Sequence, residues 1–225
     1  MGRKIVVGMA CFGANEETLT TALRQACKIA DRVVVVYGRW LGFDAPYVKP
    51  PSILQALKAA GSITLIKGDH LHTQEKQRDQ FLNGIHEGDL LIEWDPDEVM
   101  LTDPYEVKMF INSLDETIGE YDGLSFHYFT PTGEFEQEVI RAYRFRKGFR
   151  HVVGPSLGVD GRIVGSPDYR IVKTHPWIKI EHRRDQGDEY RTFQQNYWRG
   201  IHESQVSQET DQEGQQPAVI IPDLL

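Results

Sequence analysis

Short apolar segments alternate with amphipathic segments through the first half of the chain, and this order constrains the fold more than any other feature. Branched apolar residues run without polar alternation from Lys4 to Met9 and from Val33 to Tyr37, which is typical of buried strands. A third strand is expected at Ile63 to Ile66, and a fourth opens the stretch from Asp89 to Glu98. With a helix after each of the first three strands, the order predicts an α/β protein with a doubly wound, mainly parallel sheet in an α/β/α arrangement.

Capping residues and apolar periodicity mark the helices between these strands. Asn15 is a suitable N-cap for the first helix, and Ser52 for a short helix that ends at Gly61. A third helix is expected from Thr73 to Glu87, where Gly88 closes it. Asp103 and Pro104 then begin a fourth helix, expected to run to about Ile118, because a capping aspartate and a first-turn proline stand in the preferred order.

The pattern changes after Gly123. The segment from Gly123 to Phe129 predicts a strand, the next four residues predict a turn, and alternation from Val139 to Phe145 predicts a half-exposed strand. We therefore expect an antiparallel C-terminal extension of the sheet. A last helix is expected from Asp188 to Ile201, and residues 204–225 are expected to form an acidic, disordered tail because residues 204–216 contain almost no apolar side chain.

The composition of the chain constrains its cellular compartment and its possible binding partners. Two cysteines, Cys11 and Cys27, are too few for a disulfide framework and lack zinc-site spacing, which favours a reducing, cytoplasmic location. No stretch reaches the ~18 apolar residues that a membrane-spanning helix needs. The net charge is −8, yet residues 139–184 contain eleven basic and three acidic residues. That basic segment could bind a polyanion or a phosphorylated molecule.

Three carboxylates, Asp95, Asp97 and Glu98, follow the fourth strand within four residues. Carboxylates set so close repel one another unless a cation or a donor-rich ligand lies among them. The carboxyl end of a strand is also where open α/β sheets hold ligands. The cluster therefore indicates a metal and ligand site, although the same residues could form a solvated acidic turn.

Four sequence motifs occur in an order that resembles a known family. They are the basic pair Lys76-Gln-Arg78, the stretch Ile92-Glu-Trp-Asp-Pro-Asp-Glu98, the arginine-rich stretch from Arg141 to Arg150, and Ile180-Glu-His182. This order resembles family 2 glycosyltransferases with the GT-A fold over about residues 3 to 200. The resemblance implies one catalytic domain, residues 1–203, with a nucleotide-sugar-binding half at 3–122 and an acceptor half at 123–203.

The resemblance also implies a ligand set. Asp97, in the DxD motif, would bind Mn²⁺ or Mg²⁺ directly, Asp95 would reach the metal or the ribose, and His182 would complete the site. Residues expected to contact the nucleotide-sugar donor are Ala10, Phe12, Tyr37, Arg39, Arg78 and Asp95. The family usually ends strand two in an aspartate, which this chain lacks, so UDP, GDP, CDP and TDP sugars all stay open.

An inverting transfer to a hydroxyl acceptor also needs a general base. Four acids are eligible for this role: Glu98, Glu138, Asp160 and Asp168. In the arginine-rich strand, Arg144 and Arg146 share one face, which we expect to point into a polar cleft beside the acceptor, whereas Arg141 is expected to find a carboxylate partner. The catalytic candidates are therefore Glu98, Asp168 and Arg144.

Two alternative functions remain open on the sequence. A nucleotidyltransferase would also use paired acids and a metal, but it normally has a glycine-rich, basic loop after strand one, where this chain has Ala10 to Asn15 with one glycine and no cation. A catalytically silent domain could retain the fold for a protein or polyanion partner. The acceptor of an active enzyme could be a glycan, a lipid-linked group, a protein or a nucleic acid, and the oligomeric state is open.

Overall fold

The computed structural model describes most of the first 183 residues. The described ranges are 3–11, 14, 16–39, 49–67, 73–117, 121–153, 156–159, 162–164, 169–174 and 177–183. All of them belong to one compact unit of the chain, residues 1–186. The expected cap Asn15, the expected helix at 188–201 and the expected tail at 204–225 lie outside the described residues, as do Phe12, Asp160 and Asp168.

Strands and helices alternate through residue 93, as the sequence predicts, but an additional strand at Glu98–Met100 comes before the next helix. In chain order the elements are β1 Ile5–Cys11, α1 Glu16–Ile29, β2 Arg32–Tyr37, α2 Ser52–Ala59, β3 Thr64–Lys67, α3 Gln74–Leu82, β4 Leu90–Glu93, β5 Glu98–Met100, α4 Pro104–Thr117, β6 Gly123–Phe129, β7 Phe135–Arg144, β8 Arg150–Val153, β9 Ser156–Val159, β10 Arg162–Ile163, β11 Ile171–Lys173 and β12 Lys179–His182.

The main sheet has the strand order β3-β2-β1-β4-β7-β6-β12-β5, and β11 pairs with β6 beside this path. Strands β3, β2, β1 and β4 are parallel, and β7 runs antiparallel to both β4 and β6. A second, smaller sheet of β10, β9 and β8 is antiparallel. The predicted α/β fold with a mainly parallel sheet is therefore confirmed.

The C-terminal part of the sheet is more mixed than the sequence suggests. The β6–β7 hairpin and the small sheet are antiparallel as expected, but β11 and β12 both run parallel to β6. Each reaches β6 after the chain has passed through β8, β9 and β10, and a connection of that length permits a parallel crossover. Strand β5 pairs antiparallel with β12 and is the last strand at that end of the sheet.

Alternation along the parallel strands gives the sheet two apolar faces. On one face, Val6 of β1 and Val34 of β2 pack in a buried cluster with Phe81 of α3. The next residues along β1, such as Val7, point to the opposite face and are equally buried. Helix α3 lies on the first face of the sheet. The second face is covered by the buried side of α1, which includes Leu23, and α1 also contacts α4.

Local signals at the helix ends differ in two places from the prediction. Pro51, not Ser52, is the N-cap of α2, and the Ser52 hydroxyl donates instead to Glu16. Helix α3 ends at Leu82 because the next residue adopts an extended backbone and Gly84 has a φ of 79°. Asp103 caps α4 as expected, where its carboxylate accepts from the backbone N–H of Tyr105. None of the helices in the described part of the chain has the length and apolar character that crossing a bilayer requires.

Candidate functional site

The acidic loop between β4 and β5 lies at the carboxyl edge of the parallel strands. Glu93, the last residue of β4, pairs with Gly8 of β1, and Cys11 at the end of β1 pairs with Tyr37 at the end of β2. The carboxyl ends of these three strands therefore meet at one edge, where sheets of this kind hold ligands. The predicted position of Asp95 and Asp97 after a fully buried strand is confirmed.

Asp95 is held between two arginines. Its Oδ1 accepts from Arg78 Nη2 of α3 at 2.7 Å, and its Oδ2 accepts from Arg141 Nη2 of β7 at 2.9 Å. Both guanidinium-bearing side chains are more than nine-tenths buried. Burial opposes ionisation of the Asp95 carboxyl, but the charges of Arg78 and Arg141 outweigh it and lower its pKa. Both oxygens of Asp95 are thus engaged by positive charge.

Glu98 accepts hydrogen bonds from both Arg141 and the backbone of Asp95. The residue is fully buried, and its Oε1 accepts from Arg141 Nη2 at 2.5 Å and from the Tyr128 hydroxyl at 2.9 Å. Its Oε2 accepts from the backbone N–H of Asp95 at 3.1 Å. Burial, together with the negative charges of Asp95 and Asp97, outweighs the positive charge of Arg141 and raises the pKa of Glu98 to about 7.

Asp97 and His182 meet on the other side of the loop. The antiparallel pairing of β5 with β12 places His182 opposite Glu98, and His182 Nε2 lies 3.3 Å from Asp97 Oδ2. Glu136 Oε2 lies 3.8 Å from His182 Nδ1. Burial disfavours the charged imidazole, but the hydrogen bond and the charge of Asp97 outweigh it and raise the pKa of His182. The structure thus brings together two residues that are 85 positions apart.

The donor set fits a divalent cation in part. Asp97 and His182 offer an oxygen and a nitrogen within reach of one ion, a mixed pair that suits Mn²⁺. Asp95 does not join them, because both of its oxygens are bound to arginines. Among the described residues, no group of three His, Cys, Asp or Glu side chains is placed to hold a metal ion. The three-ligand set that the resemblance implies is therefore not assembled.

A buried chain of charges continues from Arg78 into the protein. Arg78 Nη1 lies 3.5 Å from Glu93 Oε2, and Glu93 Oε1 lies 2.9 Å from His151 Nε2. His151 Nδ1 in turn lies 2.8 Å from Asp79 Oδ1. Burial opposes the charged form of His151, yet Glu93 and Asp79 outweigh it and raise its pKa. Glu93, His151 and the Tyr128 hydroxyl were not predicted as site residues from the sequence, although a lone glutamate in the apolar run Leu-Leu-Ile-Glu indicates a buried charge that needs partners.

The expected donor-contacting residues on the first two strands are placed at this edge. Ala10 and Arg39 are half-buried, near the ends of β1 and β2. Tyr37 is buried, and its hydroxyl donates to the Lys49 carbonyl at 3.3 Å, so its ring is not presented to a base. Phe12 lies outside the described residues.

Among the expected base candidates beyond Glu98, only Glu138 is described. Glu138 accepts from the Ser125 hydroxyl and lies 3.3 Å from Lys173 Nζ. The Ser125 hydrogen bond is the main cause that lowers the pKa of Glu138. Asp160 and Asp168 lie outside the described residues.

Arg144 is not part of the acidic site. It pairs with Leu90 at the beginning of β4, three residues before the end that leads to the acidic loop. Its guanidinium donates to the Gly88 carbonyl at 3.3 Å and to the Tyr121 hydroxyl at 2.9 Å. Arg141, which was expected only to find a carboxylate partner, is the arginine of this strand that reaches Asp95.

Comparisons with known proteins give distant structural matches. No family model and no curated protein matches the sequence. Solved structures that match include S. aureus TarS 1-349, at 18% identity and a TM-score of 0.42 over 60% of this chain and 38% of that chain. The complex of the same fragment with UDP-GlcNAc matches at 19% identity and a TM-score of 0.35 over 56% and 34%.

A further match is CMP:2-keto-3-deoxy-manno-octonic acid synthetase complexed with CTP, at 16% identity and a TM-score of 0.34 over 55% of this chain and 53% of that chain. The chain thus spans about a third to about half of the length of the solved chains named here. With TM-scores below 0.5, these matches assign neither a family nor an activity to the chain.

Proposed function

We propose that this protein is a metal-dependent glycosyltransferase that takes a sugar from a nucleotide-diphosphate donor and passes it to a hydroxyl acceptor with inversion. The observation that carries the proposal is the convergence of Arg78, Asp95, Asp97 and His182 at the carboxyl edge of the sheet. These residues come from a helix, a loop and a late strand, and they belong to three of the four sequence motifs that resemble family 2 glycosyltransferases.

Asp97 and His182 would hold the divalent cation. The ion, when bound, supplies positive charge that stabilises the diphosphate leaving group. Asp95 has a different task in this proposal, because it orients two arginines toward the same edge. The residue thus helps to bind the donor without being a metal ligand.

Arg78 and Arg141 supply hydrogen-bond donors for the diphosphate. In the described part of the chain, Arg78 Nε and Arg141 Nη1 are buried donors without a hydrogen-bond partner. Buried donors left unsatisfied are costly, so each would gain from an anionic acceptor. Both atoms are closed to solvent in this structure, so a diphosphate beside Asp97 and His182 would accept from them after a local shift of the loop that follows β4.

Glu98 positions other groups in this proposal. Its pKa of about 7 would suit proton transfer at neutral pH, but both of its oxygens are engaged by Arg141, Tyr128 and the Asp95 backbone. A base must reach the acceptor hydroxyl, and Glu98 is fully buried. We therefore assign Glu98 to the support of Arg141, which leaves Glu138, Asp160 and Asp168 as candidate bases.

Calorimetric titration with UDP, GDP, CDP and TDP, each with and without Mn²⁺, tests the proposal. We expect one of these nucleotides to bind with an affinity that Mn²⁺ increases, and the base of that nucleotide identifies the donor class. Absence of binding in all eight titrations would rule out the glycosyltransferase proposal.

A catalytically silent nucleotide-binding domain is the second candidate, and the double arginine pairing of Asp95 favours it. Because both oxygens of Asp95 are engaged by arginines, no group of three His, Cys, Asp or Glu side chains is placed to hold a metal among the described residues. Measuring release of nucleoside diphosphate from the matching donor separates the two candidates. Donor turnover supports the enzyme, and Mn²⁺-dependent binding without turnover supports the silent domain.

A further inference from the structure

A polar cavity lies at the edge of the sheet opposite the acidic loop. Its volume is about 520 Å³, and residues that line it include Arg3, Arg144, Arg146, Arg170, Tyr121 and Asp122. Arg3 precedes β1, Tyr121 and Asp122 precede β6, and Arg170 precedes β11. Arg144 ends β7, which runs against its neighbours. The cavity is therefore at the amino edge of the parallel strands, away from the acidic loop.

Positive charge exceeds negative charge in this cavity. Among the described residues that line it, four are arginines and two, Glu87 and Asp122, carry carboxylates. Asp122 is already occupied, because it is paired with Arg146 and accepts from the backbone N–H of Arg170 at 2.7 Å. Burial of Arg144 and the like charge of Arg3 lower the pKa of Arg144 to about 10. Like charges gathered in this way are stabilised by a bound anion.

Two of these arginines contact aromatic rings, and Arg144 also donates to the Gly88 carbonyl. Arg144 is 7% exposed, its guanidinium carbon lies 4.5 Å from the centre of the Tyr121 ring, and it donates to the Tyr121 hydroxyl. The guanidinium carbon of Arg146 lies 5.7 Å from the centre of the Tyr169 ring. Side chains held in this way lose little freedom when a ligand binds, which favours binding.

We propose that this cavity binds the phosphate group of a small phosphorylated molecule. An excess of two positive charges matches a phosphate dianion, and planar guanidinium groups match the geometry of phosphate oxygens. The volume is in the range of small-molecule sites, and the arginines converge on a concavity instead of following a long stripe as for a nucleic acid. The proposal does not depend on the glycosyltransferase site, because it uses none of its residues.

Calorimetric titration in the presence of EDTA tests this site while the carboxyl edge is kept free of metal. The probes are inorganic phosphate, pyrophosphate and glucose 6-phosphate. We expect saturable binding of at least one probe, and tighter binding of glucose 6-phosphate than of phosphate would identify a phosphate ester as the ligand. Tighter binding of phosphate or pyrophosphate would identify the inorganic anion.

Two exposed arginines of the cavity, Arg3 and Arg170, can be replaced with little risk to the fold. Arg3→Ala and Arg170→Ala should each weaken probe binding by about tenfold or more, because each removes a charged hydrogen-bond donor. Arg24→Ala removes the same charge from the exposed surface of α1 and should leave binding unchanged. Thermal denaturation of each variant checks that the fold is retained.

Two results would overturn the proposal. One is the absence of saturable binding of every probe to the wild-type protein at millimolar concentration. The other is an equal loss of binding in Arg24→Ala and Arg170→Ala, which would show that net charge and not this cavity holds the anion. Failure of the nucleotide titrations described above would leave both results unaffected.

Discussion

Arg141 connects three other side chains of the acidic site through hydrogen bonds. It bonds Asp95, Glu98 and the Tyr128 hydroxyl, and it is almost fully buried. Removing one partner of a buried ion pair typically costs about 3–5 kcal/mol, because the remaining charges stay buried without compensation. We therefore expect Arg141→Ala to lower the free energy of unfolding in urea by about 3–5 kcal/mol.

The matched control for this prediction is Arg24→Ala, which removes an exposed arginine of α1 and should change the free energy of unfolding by less than about 0.5 kcal/mol. If Arg141→Ala changed the free energy of unfolding as little as the control does, the buried ion pairs of Arg141 would not stabilise the fold. Such a result would mean that Asp95 and Glu98 find other partners.

Asp97 offers a sharper test of the proposed metal site than Asp95 does. Asp95→Asn would disturb two arginines, whereas Asp97 is bound through its side chain to His182 at the edge of the site. Asp97→Asn should abolish the Mn²⁺-dependent part of nucleoside diphosphate binding and leave the melting temperature nearly unchanged. Calorimetry and thermal denaturation measure the two effects, with the exposed Glu134→Gln as the matched loss of a carboxylate. A large drop in melting temperature would instead assign Asp97 a structural role.

The contrast between Arg141 and Arg144 marks what the sequence could predict at this scale. Alternation along the strand separates the two arginines onto opposite faces, and the need of a buried guanidinium for a carboxylate predicts the pairing of Arg141. Their distances from the acidic loop depend instead on the register of β7 against β4, which pairs Leu90 with Arg144. That register is set by contacts between segments more than 50 residues apart, and local patterns carry no information about it.

At the scale of elements, the close approach of α3 to β1 depends on Gly8. A Cβ atom at this position would lie 2.5 Å from the Phe81 ring. Overpacking of this kind typically costs about 1–3 kcal/mol, so Gly8→Ala should lower the free energy of unfolding by that amount. Chemical denaturation of Gly8→Ala, Phe81→Leu and the double variant measures the coupling. The double variant should lose less stability than the sum of the two single variants, and simple additivity would contradict the steric explanation.

His151 ties β8 to α3 and to β4 through Asp79 and Glu93. Its pKa is raised in the folded protein, so the protonated imidazole stabilises the fold fully below its unfolded pKa of about 6.5. This contribution is lost as the pH rises through the folded pKa. The difference in free energy of unfolding between the wild type and His151→Gln should therefore shrink as the pH rises above about 6.5 and through the folded pKa. A difference that stays constant over this range would show that His151 acts only through packing.

The sequence predicts elements where one physical cause dominates and fails where two compete. Unbroken branched residues locate β1, β2 and β4, because few other structures bury such runs. Ser52 has the chemistry of a cap, yet its hydroxyl bonds Glu16, a partner 36 residues away. The parallel pairing of β12 with β6 was missed because strand direction depends on the whole chain path and not on the four residues of β12.

At the scale of the whole molecule, the two edges of the sheet carry different sets of charged side chains. The carboxyl edge gathers the acids Asp95, Asp97 and Glu98, whereas the amino edge gathers Arg3, Arg144, Arg146 and Arg170. Strand β4 separates the edges by four residues, which is about 13 Å at ~3.3 Å per residue. The basic residues of the segment 139–184 are thus divided between the two edges. Arg141 pairs with Asp95 at the carboxyl edge, and Arg144, Arg146 and Arg170 line the cavity at the amino edge.

This separation predicts that the two proposed ligands stabilise the protein independently. A ligand present at 100 times its dissociation constant adds about 2.7 kcal/mol to the free energy of unfolding when it binds only the folded state. Sites without shared partners add their effects, so nucleoside diphosphate with Mn²⁺ and glucose 6-phosphate together should add about 5.4 kcal/mol. Chemical denaturation with each ligand alone and with both measures the sum. Asp97→Asn should remove only the nucleotide effect and Arg170→Ala only the glucose 6-phosphate effect. If one substitution removed both effects, or if the combined stabilisation equalled the larger single one, the two ligands would share one site and the separation of the edges would not extend to binding.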